Sequence, residues 1–333
     1  MLTDFKGRAY SGGLRRSDGR SYDGGITDFR GNLINIEFPE YWRNNYTAAR
    51  AWLGSKTGLR GTIVTDTHYS SAGRNLFQNS QSIRSAKQLQ ADFSDALFLH
   101  LGDIIDTKND SIPNRFEADY GHLYRDRNIY MTGNHDVTPT SATGRECAIQ
   151  LASYMDVVDV GSTKKVFYKD VLHDGMKIRF VAVNEAHAIT PEHASVKAAL
   201  DKDSADYFVF LSHKTPVVDN VDHNYTKYPL SGWDTTYAAL GTLGNKCIGH
   251  WTGHHHWDDY VLWEGINFVT LNCDFCDKDN TDGRQADKAN EGAMTCFNVD
   301  FANRRVEFAR FGALVDDPKS NIVWSGNEFG YNF

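Results

Sequence analysis

The stretch Ala96-Leu-Phe-Leu-His-Leu-Gly-Asp-Ile-Ile-Asp106 decides the architecture. Ala96 to Leu101 is an apolar run broken only by one imidazole, the pattern of a strand buried on both faces. Gly102-Asp103 then turns the chain polar where that strand ends. Four other blocks share this design. Asp66-Thr-His68 follows Thr62-Ile-Val-Thr65, and Gly133-Asn-His-Asp136 follows Asn128-Ile-Tyr-Met-Thr132. Ser212-His213 follows Tyr207-Phe-Val-Phe-Leu211, and Gly253-His-His-His256 opens from Lys246 to Thr252. In α/β sheets, ligand and metal sites gather at the carboxyl ends of strands. Asp, Asn and His side chains brought together there suit a pair of divalent cations.

Working outward from these strands, the spacing predicts helices over Ser80 to Phe93, Arg115 to Tyr124 and Arg145 to Met155. Strands and helices that alternate in this way favour parallel neighbours joined by right-handed crossovers. Val166 to Tyr168 and Ile178 to Val183 flank His173-Asp174-Gly175, so a hairpin is expected there. Thr190-Pro191 carries a capping hydroxyl and a first-turn proline for a further helix. The end is strand-rich, with Tyr260 to Trp263, Asn267 to Asn272, Ala293 to Val299 and Arg304 to Phe311, and Asn303 marks a turn. The chain divides into a Gly-rich arm (1–38), an amphipathic lead-in helix (39–59), a main domain (60–315) and a loose tail (316–333). The arm holds too few large aliphatics to fold alone, so it is either flexible or orders on a partner.

Composition limits the function. A chain of 333 residues, 41% hydrophobic and 13% aromatic, buries a substantial core. Its formal charge of −8 offers no general attraction for nucleic acid or an anionic membrane, and no basic stripe marks a dedicated nucleic-acid surface. The amino terminus is polar from Met1 onward and lacks the apolar core of a cleavable signal, and no segment reaches membrane-spanning length. A soluble protein, cytoplasmic or associated with a larger particle, is the expectation. The five cysteines are odd in number and irregularly spaced, which excludes a disulfide framework. Cys273-Asp-Phe-Cys276 has no second CxxC, so reduced thiols in or beside a strand are expected.

The five blocks, in this order, resemble the calcineurin-like metallophosphoesterase family over about Arg60 to Phe311. The resemblance implies an α/β fold of two stacked mixed β-sheets flanked by helices, an αββα sandwich. It also implies a dinuclear centre that hydrolyses a phosphomonoester or phosphodiester by attack of metal-bound hydroxide. Asp66 and His68 resemble ligands of a first metal, completed by His256. Asn134, His213 and His254 resemble ligands of a second, and Asp103 corresponds to the carboxylate bridging both. The two-residue spacing of Asp66 and His68, repeated in His254 and His256, would let each pair leave a strand end on one side while His255 points away. Imidazole and carboxylate donors suit manganese, iron, zinc or nickel, and the lack of thiolates disfavours a purely structural zinc site.

His135 stands beside a ligand without being one in the family, and its implied role is to protonate the leaving oxygen or steady phosphoryl charge. Asp136 and Asp106 are candidates for carboxylates that hold the site from behind and compensate His135. Tyr69, Arg145 and Trp257 lie near motif loops and could shape the substrate pocket, with Arg145 able to pair two phosphate oxygens. His100, His122, His173, His187, His193, His223 and His250 match no motif and default to surface or packing roles. The expected partner is a phosphate-ester substrate, small or polymeric. An alternative from general layout is a structural or adhesion component, similar to accessory proteins of phage tails. There the arm would dock to a larger assembly and the domain would act on a host-surface polymer such as teichoic acid.

Overall fold

The computed structural model describes residues 26–27, 33–34, 40–68, 81–105, 123–136, 156–158, 166–183, 193–215, 240–272, 274, 292–312, 322 and 324–333. In chain order the elements are β1 (Ile26–Thr27), β2 (Leu33–Ile34), α1 (Glu40–Gly54), β3 (Leu59–Val64), α2 (Gln81–Asp92), β4 (Leu97–Leu101) and β5 (Asn128–Met131). Next come β6 (Asp156–Val158), β7 (Val166–His173), β8 (Met176–Val183), α3 (His193–Asp201), β9 (Tyr207–Ser212) and β10 (Cys247–Thr252). β11 (Asp259–Trp263), β12 (Ile266–Thr270), β13 (Ala293–Asp300), β14 (Arg305–Gly312) and β15 (Glu328–Asn332) complete the order.

Alternation along the strands builds the layers. In β8 and β9, Ile178, Phe180, Ala182, Val209 and Leu211 join the large core shared by both sheets. Val181, Val183, Phe208 and Phe210 face the other way, into a smaller core with Val196 and Ala199 of α3. A period of two therefore gives these strands two buried faces, and one residue of slip would exchange them.

One sheet has six strands in the order β15-β14-β13-β3-β4-β5, and the other seven in the order β11-β12-β10-β9-β8-β7-β6. Both are mixed. β3, β4 and β5 run parallel, as do β8, β9, β10 and β12, and antiparallel strands flank each set. α1 and α2 pack on the six-stranded sheet and α3 on the seven-stranded one. The result is the expected αββα sandwich. Trp251 of β10 sits between the layers, 5.2 Å from Phe297, 5.5 Å from Phe308 and 6.4 Å from Phe180, ring centre to ring centre.

The expected hairpin joins β7 to β8 through Asp174 and Gly175, both at positive φ (49° and 78°), the signature of a type I′ turn. α1 buries Trp42, Ala49 and Leu53 at helical spacing. Residues 115–122 of the helix expected over Arg115 to Tyr124 lie outside the described residues, as do all of the helix expected over Arg145 to Met155 and the Thr190-Pro191 start of α3. Tyr124, the expected end of the first of these, is instead a left-handed residue (φ 54°) before a 3-10 turn over Arg125–Arg127. Most of the arm also lies outside the description; within it, β1 and β2 pair antiparallel. The candidate reduced thiols Cys273 and Cys276 are not described, while Cys247 and Cys296 are free and buried.

The tail from 316 requires correction. Glu328–Asn332 forms β15, hydrogen-bonded along β14. Phe329 stacks on Phe308 at 6.2 Å and Tyr331 on Tyr260 at 5.8 Å. The Tyr331 hydroxyl accepts the indole N–H of Trp251 at 2.8 Å. Short local sequence hides this strand because its partners come from residues far away in the chain.

Candidate metal centre

Parallel strands deliver every candidate ligand to the same end of the sandwich. Asp66 and His68 follow β3, Asp103 follows β4, and Asn134 and His135 follow β5, all on the six-stranded sheet. His213 follows β9, and His254 and His256 follow β10, all on the seven-stranded sheet. Backbone bonds lock these loops together: Asp66 N–H donates to Gly102 O, His68 N–H to Asp103 O, and Gly253 N–H to His213 O, each at 3.0 Å. Gly253 and Gly133 are required by crowding. A Cβ on Gly253 would meet Thr65 Oγ1 at 2.0 Å, and one on Gly133 would meet Asp103 Oδ1 at 2.1 Å.

The pairs Asp66/His68 and His254/His256 do not use strand parity. All four lie past the strand ends, and all four, with Asp103, have left-handed backbones (φ 44° to 71°). Non-glycine residues held this way cost about 1–3 kcal/mol each and concentrate where a site demands a set direction. His255 does turn elsewhere, and its ring lies 4.8 Å from that of Trp257.

The side chains converge. Asp66 Oδ1 lies 3.4 Å from His256 Nε2, 3.6 Å from His213 Nε2 and 3.8 Å from His68 Nε2. Asp103 Oδ2 lies 3.0 Å from His213 Nε2, 3.8 Å from His68 Nε2 and 3.9 Å from His135 Nε2. His68 and His256 approach to 3.3 Å, Nε2 to Nε2. One donor atom from each of Asp66, His68 and His256 falls within 4.8 Å of the others. The same holds for Asp103, His213 and His254, and for His68, Asp103 and His135.

The second carboxylate oxygens are already engaged. Asp66 Oδ2 accepts from Thr65 Oγ1 (2.6 Å) and His254 N (2.8 Å), and Asp103 Oδ1 accepts from His135 N (2.7 Å). His213 Nδ1 donates to Leu101 O at 2.8 Å, which turns Nε2 toward Asp103. What points inward is thus a set of acceptors. Asp66 Oδ1 and Asn134 Oδ1 are buried and accept no hydrogen bond among the described residues. A buried acceptor left so is costly unless a cation takes its lone pair. The donor set fits hard or borderline divalent cations.

Electrostatics agrees. Burial opposes ionisation of Asp66, but His213, His256 and His68 outweigh it and hold the carboxyl well below the usual range. Burial and nearby Asp66 likewise oppose ionisation of Asp103, yet His213 and His68 lower it to about 2. Both carboxylates are therefore ionised at neutral pH. Burial, aided by His213, keeps His254 neutral.

Asp136 holds the ligand loops from behind, as expected, but it is Asp103 that faces His135. Its carboxylate is buried and accepts the backbone N–H groups of Gly133 (2.8 Å), Ile105 (3.0 Å) and Ile104 (3.2 Å). It staples the loop after β5 to the loop after β4, and the carboxylate facing His135 is Asp103. Burial and Asp103 push Asp136 up to about 7. Trp257 is buried, 4% exposed, and so is packed behind the loop. Tyr69, Asp106 and Arg145 lie outside the described residues.

Two histidines without a motif, His100 and His250, turn out to be buried polar residues beside the ligand loops. His100 Nε2 meets Thr67 Oγ1 at 3.1 Å, and His250 Nε2 meets Ser212 Oγ at 2.7 Å. A signal was available: an imidazole inside an apolar strand, three or four residues before a ligand, must find a hydrogen-bond partner.

Two mixed sheets flanked by helices, with a histidine–aspartate cluster at the ends of their parallel strands, define a four-layered α/β sandwich with a candidate metal site between the sheets. The sequence profile of the calcineurin-like phosphoesterase family matches residues 59–258, from the start of β3 to just past His256. The chain belongs to the calcineurin-like phosphoesterase family. No curated protein sequence matches it. Among solved structures it is similar to GAP50, the anchor in the inner membrane complex of Plasmodium, at TM-score 0.48 and 11% identity, covering 84% of this chain and 89% of that one. It is also similar to phosphopantetheinyl hydrolase from Mycobacterium tuberculosis, at TM-score 0.38 and 15% identity over 65% and 91% of the two chains. Vacuolar protein sorting 29 from Cryptosporidium parvum is similar at TM-score 0.35 and 12% identity over 82% and 96%.

Proposed function

We propose that this protein is a dinuclear-metal phosphoesterase, hydrolysing a phosphomonoester or phosphodiester. Asp66, His68 and His256 would hold one cation, Asn134, His213 and His254 the other, with Asp103 shared. The observation that carries this reading is the position of Asp103 Oδ2, between His68 of one donor group and His213 of the other. When bound, two such cations supply Lewis-acid charge that activates a water and neutralises phosphate oxygens.

The chain's own groups do the rest. Asp66 and Asp103 provide fixed negative charge, and the imidazoles provide ring-nitrogen donors around them. His135 is the partly open member, with its side chain 40% exposed and its ring edge-on to His68 at 4.7 Å. That places it to hand a proton to the leaving oxygen at the mouth of the site. The overall charge of −8 favours a small or polymeric ester over duplex nucleic acid, whose binding depends on phosphate neutralisation by Lys and Arg.

The test uses nitrophenyl phosphate mono- and diesters, with manganese returned to chelator-stripped protein. Wild type should turn over one ester class in a metal-dependent way, Asp103→Asn should not, and His135→Ala should turn it over more slowly. Undiminished turnover in both variants would remove the proposal.

A further inference from the structure

We infer that two buried hydroxyl–imidazole relays, His100–Thr67 in the six-stranded sheet and His250–Ser212 in the seven-stranded sheet, position the ligand loops, one for each half of the centre. The inference rests on the dinuclear reading above and adds residues to it.

The proton directions follow from the hydrogen bonds. Thr67 Oγ1 donates its single proton to Ile104 O at 2.9 Å, so His100 Nε2–H must be the donor in the 3.1 Å contact between them. Gly102 N–H donates to His100 Nδ1 at 3.3 Å, which is consistent with that tautomer. Ser212 Oγ donates to Lys214 O at 2.7 Å, so His250 Nε2–H donates to Ser212 in the same way. Each relay thus runs from imidazole N–H to hydroxyl to backbone carbonyl. Burial lowers both imidazoles to about 3 and keeps them neutral.

Placement gives the relays their purpose. Thr67 lies between Asp66 and His68, and its acceptor Ile104 directly follows Asp103. Ser212 directly precedes His213, and its acceptor Lys214 directly follows it. His100 and His250 project from the strands next to those they clamp, β4 beside β3 and β10 beside β9. The left-handed residues Asp66, His68 and Asp103 benefit from such an anchor, because a side chain makes that backbone unfavourable relative to the right-handed region. A partner of a ligand-bearing segment commonly changes metal affinity about 10–100-fold when removed.

Two variants separate the relays. Thr67→Val deletes one hydroxyl at nearly constant shape. His250→Phe deletes the other relay's donor within an aromatic setting that already includes Phe268 at 5.4 Å. Manganese titrations of the full chain by calorimetry should show two ions for wild type. They should show one ion weakened about 10–100-fold in each variant. In a His254→Ala background, which retains the Asp66-side ion, Thr67→Val should still weaken binding and His250→Phe should not. Thr67→Ser and His250→Gln, which restore a hydroxyl and an N–H donor, should recover wild-type affinity.

Unchanged affinity in both variants overturns the inference, as does equal weakening by both in the His254→Ala background. A loss that tracks a lower metal-free melting temperature and is not recovered by the conservative changes overturns it as well. Wild type that takes up no manganese would instead remove the metal centre, a separate failure.

Discussion

The two sheets contribute unequally to one site. The six-stranded sheet brings both candidate ligand carboxylates, the Asn134 carbonyl, His68 and the partly open His135. The seven-stranded sheet brings only imidazoles, His213, His254 and His256. Both candidate ligand carboxylates therefore reside on one layer, and the other contributes imidazoles alone. A complete centre exists only when the layers are docked in register, and the packed Trp251 between them is part of that docking. The candidate site thus belongs to the interface between the sheets and not to either sheet alone.

Breaking the carboxylate-bearing half should have the larger effect. If both cations share this carboxylate, as proposed, Asp103→Asn is expected to abolish uptake of both and to bring ester hydrolysis to the detection limit. His213→Ala should remove only one cation. Metal analysis of the two purified variants compares them directly, and equal metal content in both would erase the distinction between the halves.

His135→Ala belongs to the carboxylate-bearing half but should spare the metals. Its turnover is expected to fall about 10²–10⁴-fold with cation content unchanged. The loss should be smallest for esters with good leaving groups, which need least protonation. A uniform loss across leaving groups would place His135 outside proton transfer.

Acid should expose the buried histidines of both sheets. His100 and His250 lie at about 3 in the folded protein, against about 6.5 when unfolded, because burial penalises the charged ring. The unfolded chain therefore binds the extra protons. Stability of the metal-free protein is full above pH 6.5 and should fall below it, by up to about 1.4 kcal/mol per pH unit for each histidine. His250→Gln should flatten that slope in melting curves between pH 6.5 and 4.5, and an unaltered slope would contradict the assignment. The carboxylates add a later loss: Asp103 is depressed to about 2, so its contribution is present above about pH 4 and disappears as pH falls toward 2.

The smallest effect concerns the tie between layers. Tyr331→Phe leaves the Trp251 indole N–H without the hydroxyl it donates to, at a cost of about 1–3 kcal/mol. Urea unfolding should register this loss, while the metal content of the folded variant stays at the wild-type level.

Much of the site was legible because its residues are bound to strong local patterns. An apolar strand followed by a candidate ligand recurs in five places, three of them through a glycine, and parallel strands bring such ends together. Other features were not legible. Asp136 looked like a partner for His135, yet three backbone N–H groups claim its carboxylate, and no sequence pattern reports a loop-to-loop staple. The spacing of Asp66 and His68 suggested strand alternation, whereas left-handed turns aim the side chains. Phe329 and Tyr331 read as tail, because their stacking partners lie in distant strands.

What the linear chain determined by itself was the inventory and its order: which strands are buried on both faces, and which carboxylate, amide and imidazole groups stand at their ends. Hydrophobic periodicity and side-chain chemistry are local properties, so they survive without coordinates. Which oxygen of each aspartate faces inward, which histidine clamps which hydroxyl, and which sheet carries the carboxylates were decided only on folding. Those outcomes depend on backbone direction and on contacts between residues far apart in the chain, and only the packed layers supply them.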